Sequence, residues 1–215
     1  MPAAAEVYGV LMDTPTASAC DPFDRHVVAA ILALGLSEAE AAGAPPSDRL
    51  GLGRDALLAL AGALFPEQVG YIAQMVPDSP VEVDEEERNV RDILAMYASG
   101  AGLLEQALVA LIARRAKAPH HLWQDLGLRD RDELSALMAR HFAPLKRKNS
   151  NDMKWKKFLY RMVCGAAGFT LCTAPVCAEC DDFHTCFGAE DGESRLAVAR
   201  NFGRAMPELA QAPER

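Results

Sequence analysis

Residues 103–118 read LLEQALVALIARRAKA, and this stretch decides the fold class. Apolar residues run around most of its circumference at helical spacing, the mark of a helix that enters a core rather than lying on one. Gly100 and Gly102 precede it, and Arg114, Arg115 and Lys117 close it, where positive charge complements the helix dipole. Working outward, helix signals recur and strand signals are scarce. Asp21, Pro22 and Asp24 supply an N-cap, a first-turn proline and early negative charge ahead of HVVAAILALGL. This predicts a helix over 22–34, with SEAEAAGA as its extension. RDALLALAGALF predicts a shorter apolar helix that stops before Pro66. Between Pro66 and residue 83 the pattern leaves a short helix and an irregular crossing equally open. Asp84 with Glu87, and Asp130 with Glu133, stand at capping-box spacing ahead of VRDILAMYA and LSALMARHF.

The expected fold class is all-α: a compact irregular helical bundle with a C-terminal cysteine-rich metal-cluster loop. The expected organisation is a flexible N-terminus over 1–20 and a helical domain over 21–165. A cysteine-rich cluster-binding segment over 166–195 packs on that domain, and a tail follows over 196–215. Half of the residues are apolar, enough to bury a sizeable core. A formal charge of −8 argues against general nucleic-acid binding. No span is apolar enough for a membrane, and the first residues lack the basic start and apolar run of a secretory signal. These point to a cytoplasmic protein.

The chemistry is concentrated in CTAPVCAECDDFHTC. Four cysteines, Cys172, Cys177, Cys180 and Cys186, fall within fifteen residues as C-x4-C-x2-C-x5-C. Structural zinc generally takes two knuckles separated by a longer stretch, whereas consecutive short gaps suit a segment wrapping a larger iron–sulfur core. Spacing therefore favours a metal–sulfur cluster, with zinc and redox use left open. His184 and Cys164 are further candidate ligands. A polar loop residue and a thiol buried at a helix end are the plainer readings of those two. Cys20 is remote. His120, His121 and His141 read as interhelical polar residues rather than primary ligands, and His26 as exposed or capping-related. Neither a phosphate-cradling glycine loop nor a nucleophile elbow is present.

The segment feeding the cysteines is NDMKWKKFLYRMVCGAAG. At 100° per residue Trp155, Phe158, Leu159, Met162 and Val163 share one face, while Lys154, Lys157 and Arg161 lie along another. This helix should end near 165–168. Residues 146–161 carry seven Lys or Arg against one Asp. Such charge fits a solvated face. Beside four thiolates it also fits offsetting a cluster's charge, attracting an oxyanion, or docking an acidic partner.

The quartet CTAPVCAECDDFHTCFG, joined to NDMKWKKFLYRMVC and to the helical stretch from PHHLWQDLGL through ELSALMARHFAPL, resembles the NifQ family of molybdenum donors in nitrogenase iron–molybdenum cofactor biosynthesis. The resemblance is densest over 118–188 and looser across the N-terminal half. It implies that Cys172, Cys177, Cys180 and Cys186 ligate an iron–sulfur cluster of 4Fe–4S or 3Fe–4S type, which carries molybdenum as a Mo–Fe–S cluster. It implies a carrier and donor rather than an enzyme. The implied partners are the cofactor scaffold and the nitrogenase reductase, with molybdate and an iron–sulfur assembly protein as further ones. The rival readings are a zinc-stabilised helical interaction module and an electron-transfer iron–sulfur protein.

Overall fold

The protein is described by a computed structural model covering residues 3–13, 20–166, 186 and 190–204. Every regular element among these residues is helical, as the sequence leads one to expect. The centre is α2 (Pro22–Ala41), whose residues 27–36 are buried without interruption. Its start is the one expected: Asp21 caps it by accepting the Phe23 N–H at 2.8 Å, and Pro22 occupies the first turn. SEAEA continues the helix, because Ala39 still faces the core and Glu38 is held by arginines.

Short α3 (Ser47–Leu50) and α4 (Arg54–Leu64) follow. The undecided stretch resolves into a 3₁₀ turn (Pro66–Gln68) and α5 (Val69–Met75), which buries Ile72. Next come α6 (Glu85–Met96) and α7 (Leu103–Ala116), with α7 apolar nearly all round and in contact with α3, α4, α6 and α8 (Leu122–Asp125). Then follow α9 (Arg131–His141), α10 (Ala143–Lys148) and α11 (Trp155–Ala166), the last lying against α6.

Asp84 and Asp130 cap α6 and α9 by accepting the Glu87 and Glu133 N–H groups. The two glutamates do not close reciprocal boxes. Glu87, 1 % exposed, accepts from Arg91 and Arg114 instead. Arg114 also donates to the carbonyls of Ser47, Asp48 and Glu82. One guanidinium thus ties three segments together, and a buried carboxylate neutralises it.

The ends of the chain differ from the expectation. Residues 1–20 were expected to be flexible, yet Ala4–Met12 form α1, which buries Ala4, Val7 and Leu11 against α2. The reason is spacing: residues at i, i+3 and i+7 make one apolar stripe that α2 covers. Likewise Arg195–Arg204, assigned mostly to a tail, form α12, which buries Leu196 and packs on α1 and α2. Of the expected cysteine-rich segment, Cys172, Cys177, Cys180 and His184 lie outside the described residues.

Candidate metal centre and the helix that carries it

The described part of the candidate centre is built around α11. Its entry is a closed loop. Asn149, 4 % exposed, donates through Nδ2 to the Met153 carbonyl at 2.8 Å and accepts the Met153 N–H at 2.9 Å. Trp155 is fully buried, edge-on to Phe158 at 5.8 Å between ring centroids, and Lys146 Nζ lies over its face. Trp155, Phe158 and Leu159 are buried and Met162 and Val163 half-buried, so the expected apolar face is the one that packs.

Chain leading into and out of the cysteine quartet is attached at the two ends of this helix. It leaves at the C-terminal end after Ala166. At the N-terminal end the Lys154 N–H donates to the Cys186 carbonyl at 2.9 Å, and Cys186 is half-buried against the core. Cys164 sits in the last turn, also half-buried. From Lys154 to Cys164 the helix rises by about 15 Å. The fold therefore sets Cys164 far along α11 from the backbone of Cys186 instead of bringing the two together. Among the described residues no group of three or more His, Cys, Asp or Glu is arranged to hold a metal ion.

The first turn of α11 is electrostatically unusual. It contains no acidic residue, and Lys154, Lys156 and Lys157 crowd the end where the helix dipole is already positive. Lys156 is compensated: its Nζ donates to Asp125 Oδ2 at 2.6 Å and to the Ala118 carbonyl. Burial pushes its amine below the ordinary lysine range even against the pull of Asp125. Asp125 is fully buried, and it also accepts the His120 N–H at 3.0 Å and pairs with Arg195 at 3.2 Å. Arg195 and Arg115 in turn share Glu38, whose carboxyl stays below its usual range because the two guanidinium groups outweigh its burial. Lys154 and Lys157 form no ion pair among the described residues. They line a cleft of about 410 Å³ together with Lys156, His120, His121, Glu190 and Asp191.

The histidines are placed as interhelical polar groups. His120 meets Asp125 at 3.1 Å, and His121 faces Glu190 at 3.4 Å. His141 is 5 % exposed, with Nδ1 3.0 Å from Glu105 and Nε2 3.1 Å from Asp24. His26 is not a capping residue: it bridges the Tyr8 hydroxyl at 2.7 Å and Glu133 at 2.9 Å. Sequence reasoning missed the Asp125–Lys156–Arg195 cluster. The available signal was an acid enclosed by apolar neighbours in HLWQDLGL, which a solvated aspartate rarely tolerates.

Comparison with known proteins fits this arrangement. A family model for NifQ matches residues 27–188, a span that includes all four clustered cysteines. A NifQ homolog of Sinorhizobium fredii is 37% identical over 183 residues, covering 85% of this chain and 80% of its own. NifQ of Rhodobacter capsulatus is 37% identical over 164 residues, 74% of this chain and 87% of its own. NifQ of Klebsiella pneumoniae is 42% identical over 91 residues, 40% of this chain and 54% of its own. No solved structure matches the chain. Family match, identity and coverage agree, and the chain belongs to the NifQ family.

Proposed function

We propose that this chain carries molybdenum in a thiolate-ligated iron–sulfur cluster and donates it during assembly of the nitrogenase iron–molybdenum cofactor. The observation that carries the reading is the quartet Cys172, Cys177, Cys180 and Cys186 inside the span that matches the family. Four soft thiolates on consecutive short gaps suit an iron–sulfur core, and Cys186, the member that is described, is held at the start of α11 through its backbone carbonyl. Bound there, the cluster supplies bridging sulfides, a soft environment for molybdenum. His184 is the candidate that guards an exchangeable position. Lys154 and Lys157, which line the cleft and form no ion pair among the described residues, would receive molybdate as an anion.

On this reading the protein is a carrier, not an enzyme. Its partners are the cofactor scaffold and the nitrogenase reductase, with an iron–sulfur assembly protein upstream. Among the described residues no helix is long and apolar enough to cross a membrane. Anaerobic purification with quantification of iron, molybdenum, zinc and acid-labile sulfide tests the proposal. Iron and sulfide in near-equal amounts, with molybdenum after loading, are expected. Replacing any one quartet cysteine by alanine should lower all three. Zinc without sulfide would replace the donor reading with a zinc-stabilised module, and iron that cycles without releasing molybdenum would replace it with electron transfer.

A further inference from the structure

Between α6, the 149–153 loop and α11 lies an open groove of about 550 Å³. Ile93, Phe158 and Met162 line it, and Met96 stands beside them 69 % exposed. Only one other large apolar side chain among the described residues, Leu103 at 42 %, is comparably open to water. Among the described residues the charged side chains lining the groove are both cations, Lys148 and Arg161. This polarity is notable in a chain with 30 acids against 22 bases. Lys148 Nζ lies over the Tyr97 ring, 5.4 Å from its centroid, so one positive charge is fixed at the apolar wall.

Exposed apolar surface with a charged rim of one sign marks an interaction site, and unbranched methionines let such a site adapt to what enters it. Two neighbouring helices offer ridges and grooves that a third helix can complete. The rim decides the partner's charge: an acidic segment is steered in, and a basic one is repelled. We propose that the α6–α11 groove receives an acidic amphipathic helix of the protein that accepts the metal cargo. The inference rests on the donor reading. Gly165 closes the groove in the last turn of α11, and Cys172 follows seven residues later. That length of chain spans at most ~25 Å, so an acceptor seated in the groove is within reach of the quartet. The lysine cleft has a different lining, Lys154, Lys156 and Lys157 at the start of the same helix, so entry of the anion and docking of the acceptor use different side chains.

The test uses the full-length protein, loaded anaerobically, as parent, as Met96→Asp and as the double variant Lys148→Glu/Arg161→Glu. One probe is a labelled 18-residue helical peptide with leucines on one face and glutamates flanking them, read by fluorescence anisotropy. Its counterpart carries lysines in place of the glutamates. The acidic peptide should bind the parent, more weakly as salt rises. Met96→Asp should weaken it at least tenfold, and the double variant should prefer the lysine peptide. Molybdenum delivery to the cofactor scaffold should slow in parallel while iron and molybdenum content stays parental. Equal binding of both peptides by the parent, no binding of either, or parental affinity and delivery in both variants would overturn the groove proposal. So would a parent dimer that Met96→Asp dissociates, since the groove would then be a self-contact. A parent that binds the acidic peptide but never holds molybdenum would overturn the donor reading instead and leave the groove as a docking site.

Discussion

Single side chains inside this bundle do work that a local reading assigns to the surface. Glu133 is the clearest case. Burial opposes its ionisation, but His26, 2.9 Å from a carboxylate oxygen, and hydrogen bonds from the backbone and side-chain N–H groups of Arg129 hold its carboxyl down at about 2 instead of 4.5. A depressed carboxylate stabilises the fold once pH exceeds its unfolded value, and that contribution drains away as pH falls towards the folded one. The difference corresponds to roughly 3 kcal/mol at neutral pH. Urea unfolding of the parent and of Glu133→Gln between pH 7 and pH 2.5 should show a gap of about that size, steady down to pH 5 and closing below about 4.5. A gap that ignores pH would mean that lost packing, not lost charge, explains the variant. The capping spacing of Asp130 and Glu133 was legible in the sequence. The true partner of Glu133 was not, because His26 lies on α2, more than a hundred residues away. Asp125 failed to declare itself for the same reason: Lys156 and Arg195 are 31 and 70 residues distant.

At the scale of elements, periodicity and capping revealed which segments are helices, and their limits followed from residues with one possible job. α2, α4, α6, α7, α9 and α11 all stand where apolar spacing, a capping aspartate or a proline put them. What spacing could not reveal is how the elements meet. Gly127, between α8 and α9, shows the difficulty. Its φ of +73° lies in the left-handed region, and a Cβ there would come within 2.9 Å of the Ala30 carbonyl on α2. The turn touches the central helix because nothing but hydrogen stands between the two backbones. Gly127→Ala adds the left-handed cost of about 1–2 kcal/mol to a clash with backbone, so a loss of at least ~2 kcal/mol is expected. Gly62, inside α4 with open space around its Cα, is the control. Gly62→Ala should stabilise by about 0.5–1 kcal/mol through helix propensity alone. Equal shifts for the two variants in denaturant titrations would mean that the close approach on α2 has no energetic weight.

For the molecule as a whole, the family match and the structural unit do not coincide. The match begins at residue 27 and ends at 188, but α1 and α12 lie outside it and pack on each other and on α2. Val7 and Leu11 are both fully buried, and each contributes about 2 kcal/mol by covering apolar surface. Set against a total of about 5–15 kcal/mol for a domain, losing both would consume a large share of the margin. Removal of residues 1–13 should therefore lower the thermal midpoint by about 10 °C or more, and Leu11→Ala alone should account for a third to a half of that. The effect should reach the candidate centre. α12 loses its α1 support in the trimmed chain, and its Arg195 shares Asp125 with Lys156 in the first turn of α11. Loosening α12 leaves Asp125 with one cation fewer and frees the end of α11 to which Cys186 is hydrogen-bonded. Amide hydrogen exchange on the trimmed chain at a temperature where it stays folded should show faster exchange at the start of α11 than in the parent, while α6 and α7 remain protected. Parental exchange at residues 154–158 would show that the two ends of the fold are not coupled through Asp125.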